Sequence, residues 1–145
     1  AKDAKDNRQN IMDKDIIKPE LISILEPDSI VSEAYRALRT DVQFISTDRD
    51  IKVIVLTSSS PQEGKTSVAI NLAVSIAQSD KRVLLIDADL RNPSLHRTFD
   101  MDNKAGLSDL ILKDQPLESL ARITRVKNLY LLTSGPRALT PSWAR

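Results

Sequence analysis

The residues best suited to chemistry lie in one stretch, Ser58-Ser59-Ser60-Pro61-Gln62-Glu63-Gly64-Lys65-Thr66-Ser67. A β-branched run precedes it and an apolar-periodic segment follows, the strand–loop–helix setting in which Gly-Lys-Thr binds phosphate. In that setting the N–H groups of the loop and of the first helical turn converge on an anion. Gly64 lets the backbone approach the phosphates with no Cβ in the way. Lys65 brings a mobile positive charge to the β- and γ-phosphates, and Thr66 offers its hydroxyl to Mg²⁺. Ser59 stands where such loops usually carry a first glycine. The bland alternative is a chance Gly-Lys-Thr at a helix start, and the flanking strand and helix argue against it.

A second group lies in Leu84-Leu85-Ile86-Asp87-Ala88-Asp89-Leu90-Arg91-Asn92-Pro93. An apolar strand ending in Asp-x-Asp puts both carboxylates on one face at the carboxyl edge of a sheet, where open α/β sheets bind ligands. Asp87 and Asp89 could then ligate Mg²⁺, directly or through water, and one could accept a proton from an attacking hydroxyl. The competing reading is a turn with helix-capping aspartates, which Pro93 and Ser94 also suit. His96 reads as a first-turn helix residue, and Arg91 faces either a nucleotide or a partner.

These groups need a scaffold, and the hydrophobic pattern supplies one. Residues 51–57 (IKVIVLT), 82–87 (RVLLID) and 128–133 (NLYLLT) read as buried strands. Residues 65–79 place Val68, Ala69, Leu72, Ala73, Ile76 and Ala77 on one helical face, and residues 106–112 and 117–123 read as short helices. Pro27-Asp28-Ser29 is a helix start. Val31, Ala34, Tyr35, Leu38, Val42 and Ile45 then recur at three- and four-residue spacing, one stripe of an amphipathic helix. Strands alternating with helices predict an α/β fold with a parallel sheet and flanking helices. Residues 1–10 have almost nothing to bury and are expected to be disordered, and residues 11–25 could pack as a short arm.

The 145 residues are about enough for one domain. A net charge of +1 argues against a nucleic-acid binder. The absence of cysteine excludes a disulfide scaffold and a Cys-ligated metal site. Three glycines leave little room for a Gly-rich dinucleotide site. No apolar run reaches the roughly 20 residues that span a bilayer.

Taken in order, Glu33-Ala34-Tyr35-Arg36-Ala37-Leu38-Arg39-Thr40, the phosphate loop and the stretch from Val83 to His96 (VLLIDADLRNPSLH) resemble the cytoplasmic kinase domain of bacterial tyrosine kinases of the capsule and exopolysaccharide family. Gly106-Leu107-Ser108-Asp109-Leu110 and residues 128–136 (NLYLLTSGP) are similar to that family in order and spacing. Pro61, Glu63, Gly64, Lys65 and Thr66 match its phosphate loop, and Gln62 replaces a usual glycine. Partition-type ATPases, which share the fold, carry a signature lysine and glycines where this chain has Ser60, Pro61 and Gln62.

The resemblance implies a P-loop nucleotidase-like domain over residues 27–145, behind a charged arm at 1–26. Within it, 27–48 would be an oligomerisation helix and 49–145 a nucleotide-binding core. It implies ATP and Mg²⁺ held by residues 59–67 with Asp87 and Asp89, and Lys65, Asp87 and Asp89 as the catalytic groups. Glu33, Arg36 and Arg39 would be intersubunit contacts of a ring, although from spacing alone they are a solvated face with one intrahelical ion pair. Protein tyrosines would be the substrates. A separate membrane activator would hold the chain at the inner face of the membrane, in the cytoplasm.

Two family parts are not found. No later apolar run ends in aspartate: Asp100, Asp102, Asp109 and Asp114 all follow polar or short segments. The only tyrosines are Tyr35 and Tyr130, neither in a tail. The expectation is therefore a C-terminally truncated domain with an incomplete sheet. Its alternatives are an inactive nucleotide-binding or oligomerisation fragment and a partition-type switch.

Overall fold

The computed structural model describes residues 19–137, so the disorder expected of residues 1–10 lies outside it. The chain enters through a 3₁₀ turn, Pro19–Leu21, and a single helical turn α1, Ile22–Leu25. Helix α2 runs Ile30–Arg49 and helix α3 runs Lys65–Ala77. Strand β1 (Val83–Ile86) is followed by three short helices, α4 (Leu95–Thr98), α5 (Leu107–Leu112) and α6 (Leu117–Leu120), and by strands β2 (Arg122–Ile123) and β3 (Leu129–Leu132). No described helix is long and apolar enough to cross a membrane.

The sheet has the order β1-β3-β2. β1 and β3 pair in parallel, with Val83 opposite Leu129 and Ile86 opposite Leu132. The ladder continues one step, since the Asp87 N–H donates to the Leu132 carbonyl at 2.9 Å. β2 pairs antiparallel with β3, so the sheet is mixed where alternation predicted it parallel. The helix expected over 117–123 stops at Leu120. Ala121 is extended (φ −68°, ψ 130°), and Arg122–Ile123 find the open edge of β3.

Helix α3 packs on the sheet through Ile70, Ala73, Val74 and Ala77, which meet Leu129 and Leu131. Its opposite side is covered by the N-terminal turn and α2, with Leu21 in the same core and Ile24 and Leu25 packed against it. The short arm is thus real from residue 19 onward. Double coverage explains why Asn71 and Ser75 are buried too. Asn71 is satisfied on both sides: its amide donates to the Ser67 carbonyl at 2.8 Å and its Oδ1 accepts from Ser23 N–H at 2.9 Å.

Helix α2 begins where the sequence predicts. The Ser29 hydroxyl caps it by accepting from Ser32 N–H at 3.1 Å. Its buried face, however, is the polar one. The Ser32 hydroxyl donates to the Glu26 carbonyl at 2.6 Å, and Gln43 reaches the Ser79 hydroxyl at 3.2 Å. Of the expected stripe, Val31, Leu38 and Ile45 face outward beside Ile30 and Phe44. Opposite it, α3 and the turn after it offer Ser75 and Ser79, whose oxygens accept from Arg39 and Gln43.

The clearest departure is at residues 51–57. This run enters no ladder, and Val53 and Val55 are 78% and 84% exposed. Its β-branched residues alternate to both faces, so burial needs a strand neighbour and cover on two sides. The described sheet ends at β1 with its outer edge unpaired, and residues 51–57 do not join it.

Helix α5 docks on the carboxyl end of β3 through Leu107 N–H to the Thr133 carbonyl and Ser108 N–H to the Ser134 carbonyl. A Cβ on Gly106 would fall 2.1 Å from the Thr133 oxygen, so only glycine fits. The junction is fastened by Asp109, a buried carboxylate that accepts from Gly106 N–H at 2.8 Å and pairs with Lys113 at 3.1 Å. The Gly106 N–H first, and then the Lys113 ammonium, hold its carboxyl below the usual carboxylate range. A group whose folded pKa is depressed stabilises the fold above its unfolded value, about 3.9, and loses that contribution as pH falls through the folded pKa. Asp109→Asn is therefore expected to lower stability at neutral pH and to flatten the acid limb of the stability curve below about pH 4. Denaturant melts at pH 7, 4 and 3 check this, and a variant curve parallel to wild type would contradict it.

Candidate functional site

The phosphate loop leaves the extended run at Thr57 and turns into α3 at Gly64. Two residues adopt left-handed backbone: Gln62 at φ 63° and Gly64 at φ 82°. A Cβ on Gly64 would meet nothing within 4 Å, so within the chain itself the glycine is required by its conformation, not by crowding. Gln62 takes the same region at a cost of about 1 kcal/mol that a glycine would avoid.

The first helical bond of α3 runs from Val68 N–H to the Gly64 carbonyl. The N–H groups of Lys65, Thr66 and Ser67 ahead of it have no acceptor within the helix. They point toward the loop with the positive end of the helix dipole behind them. Beside them lies an open cleft of about 370 Å³ lined by Leu56, Thr57, Ser58, Ser59, Glu63, Lys65 and Val68. Lys65 makes no ion pair among the described residues, so its charge is available. Ser59, Glu63 and Lys65 of the predicted loop are thus brought together. The donors and the free cation suit a polyphosphate.

The two aspartates have different surroundings. Asp87 is buried, and its carboxylate accepts three backbone N–H groups: Asp89 at 3.2 Å, Ser94 at 3.0 Å and Leu95 at 3.0 Å. It closes the loop from residue 88 to 94 and caps α4, the capping reading of the sequence. Asp89 is exposed; its Oδ1 accepts from Asn92 N–H at 3.0 Å and its Oδ2 has no partner among the described residues. Neither aspartate lines the cleft, and no group of three or more His, Asp or Glu side chains that could hold a metal occurs among the described residues. Neither the Thr66 hydroxyl nor the free oxygen of Asp89 lines the cleft, so the donors expected for Mg²⁺ are not brought together there.

Glu33, Arg36 and Arg39 serve the chain's own packing. Arg36 pairs with Glu33 at 2.7 Å, an exposed i,i+3 contact contributing roughly a few tenths of a kcal/mol, and also donates to the Pro27 carbonyl at 2.7 Å. Arg39 reaches across to the Ser75 carbonyl of α3 at 2.8 Å. A purely solvated face is therefore wrong for both arginines. His96 sits in the single turn of α4 as the sequence suggests, its Nδ1 buried without a hydrogen-bond partner among the described residues. The Arg91 carbonyl accepts from Arg137 at 2.6 Å. Two structural residues escaped the sequence reading. Asn103 clamps Gly135 by accepting from its N–H and donating to its carbonyl, at 2.8 and 2.9 Å. Asp109 was seen only as part of a motif. Nothing local in the sequence marks a contact 32 residues away.

A family model described as AAA domain matches residues 51–139. The chain is 45% identical over 122 residues to tyrosine-protein kinase YwqD of Bacillus subtilis, covering 84% of this chain and 52% of that relative. It is 38% identical to the putative tyrosine-protein kinase CapB of Staphylococcus aureus, covering 81% and 51%. Among solved structures it superposes on the kinase domain of the Escherichia coli tyrosine kinase ETK with a TM-score of 0.78 at 33% identity, covering 85% of this chain and 48% of that one. The chain spans about half the length of the curated relatives it matches.

The division of labour between the aspartates is testable without any ligand. Asp87→Ala strands three N–H groups, two of them in the packed start of α4. It is expected to destabilise the metal-free chain by about 2–3 kcal/mol, whereas Asp89→Ala should stay within about 0.5 kcal/mol. Equal and small losses in urea melts would contradict a capping role for Asp87.

Proposed function

Since the chain belongs to the AAA domain family, and its relatives include named tyrosine-protein kinases, we propose that it is the nucleotide-binding part of an ATP-dependent protein-tyrosine kinase acting in capsule or exopolysaccharide synthesis. The observation that carries this is the loop. The start of α3, whose first N–H groups have no acceptor within the helix, borders an open cleft lined in part by Lys65, which makes no ion pair among the described residues.

In this reading the N–H groups of Gly64 to Ser67 and the Lys65 ammonium bind the terminal phosphates of ATP. They neutralise charge that builds as the phosphoryl group transfers in line to a tyrosine hydroxyl. Thr66 and Asp89 would hold Mg²⁺, which when bound screens the phosphate oxygens. Asp87 would act mainly from behind, by fixing the loop that carries Asp89. With the free oxygen of Asp89 given to Mg²⁺ and the oxygens of Asp87 taken by three N–H groups, this reading assigns the tyrosine proton to neither aspartate. Positioning and charge neutralisation would supply most of the rate.

The rest of the assignment follows the resemblance. The protein would sit in the cytoplasm, at the membrane face, through a separate activator. Its copies would form a ring in which one subunit's tyrosines reach the next subunit's site. The outward apolar stripe of α2, with Ile30 and Phe44 exposed, gives such a ring a surface. Glu33, Arg36 and Arg39 would contribute while keeping their intrachain bonds.

A second reading is an inactive nucleotide-binding or oligomerisation module. It is favoured by the separation of the aspartates from the cleft and by the lack of a described acidic cluster. Labelled ATP with Mg²⁺ and a tyrosine peptide separates the two, with Lys65→Met as the control. Phosphotyrosine at least about tenfold above that control is the expected result of the kinase reading. Nucleotide binding without transfer would establish the module instead.

A further inference from the structure

We propose that Glu63 is a positioning residue of the phosphate loop, whose carboxylate ties the loop's entry to its exit and leaves the donors beyond it free for an anion. The inference rests on reading the loop as a nucleotide site and adds how the loop is held ready.

The contacts are specific. Ser59 N–H and Ser60 N–H both donate to Glu63 Oε2, at 3.1 and 3.2 Å. The Ser59 hydroxyl donates to the same carboxylate at 3.2 Å from Oε1. The Ser58 hydroxyl donates to the Ser60 carbonyl at 3.0 Å, which closes the entry further. Lys65 lines the same cleft, yet the carboxylate makes no ion pair with it: it is engaged by backbone, not by the nearest cation. Glu63 is bracketed by the two left-handed residues, Gln62 and Gly64, so the chain reverses around it and brings its side chain back over residues 59 and 60.

Two functions are open to a carboxylate in this place. As a stand-in for phosphate it would occupy the donors an incoming nucleotide needs, and its charge would oppose binding. As a clamp it would use donors that the nucleotide does not need. The donors taken belong to Ser59 and Ser60, five and four residues before Gly64. None of the helix-start N–H groups of Lys65, Thr66 or Ser67 donates to Glu63. The clamp is therefore the assignment. It also accounts for Ser59 at the usual first-glycine position, because both its N–H and its hydroxyl become anchors. A loop with two left-handed residues and no clamp would have to be ordered when the ligand arrives, and that ordering weakens affinity.

The test uses the whole chain and a fluorescent ADP analogue with Mg²⁺, in wild type, Glu63→Ala, Glu63→Gln and Lys65→Met. Glu63→Ala is expected to raise Kd about tenfold, or about 1.4 kcal/mol. Glu63→Gln keeps one acceptor oxygen and should recover part of the loss. The melting temperature of both should match wild type, since Glu63 and its partners are exposed, whereas a merely structural residue would move it. In the nucleotide-free protein, the Ser59 and Ser60 amide signals should shift upfield and exchange faster in Glu63→Ala. Binding by Glu63→Ala as tight as or tighter than wild type would overturn the clamp and make the carboxylate a competitor. Unchanged Ser59 and Ser60 amides would overturn it independently of any ligand. Equal, negligible binding by wild type and Lys65→Met would sink the nucleotide reading, and the amide comparison would still decide the clamp.

Discussion

Helix α3 is the constraint on which the rest of the structure depends. Its body is held from two sides, with Ile70, Val74 and Ala77 against the sheet and its other face under the N-terminal turn and α2. Each large apolar side chain in that core, such as Ile70 or Leu131, contributes roughly 1.5–3 kcal/mol by leaving water. That burial fixes where the helix begins, and with it the direction of the unpaired N–H groups at Lys65, Thr66 and Ser67. A helix end cannot satisfy those donors itself. Among the described residues no other backbone group satisfies them either, so the fold leaves a positively polarised terminus beside an open cleft.

Around that terminus the polar residues divide into those that hold and those that are free. Asp87, Asp109 and Glu63 each spend their carboxylates on backbone N–H groups, at the start of α4, at Gly106 and at the loop entry. Lys65 makes no ion pair, and one oxygen of Asp89 accepts no hydrogen bond, among the described residues. On the proposed reading, binding would fall to the second group, while the first keeps loops in shape. The separation is what a preorganised site requires, because groups already engaged in positioning need not reorganise when charge arrives.

Much of this is legible in the sequence because it is local. The Ser29 cap, the body of α3, β1, β3 and the loop before Lys65 follow from spacing and turn chemistry within a dozen residues. What is not legible depends on partners far along the chain. Residues 51–57 have strand composition, but a strand exists only with a neighbour, and this run pairs with none in the described sheet β1-β3-β2. The stripe of α2 is visible as periodicity, yet which face is buried is set by Ser75 and Ser79 on another helix. Asp87 could be a ligand or a cap by pattern alone; the distance to Ser94 and Leu95 N–H shows that it caps. The i,i+4 spacing of Ser59 and Glu63 was available in the sequence but carries no weight until the left-handed turn between them is known.

The claim that joins these observations is that the start of α3 is a nucleotide phosphate site. Amide chemical-shift mapping with Mg²⁺ and ADP tests it most directly. The account predicts that the largest shifts fall on the N–H groups of residues 62–67, with smaller ones at Asp89, and that Lys65→Met abolishes them at the same ligand concentration. Shifts centred elsewhere, for instance around Asn103 and Gly135, or shifts that persist unchanged in Lys65→Met, would contradict it.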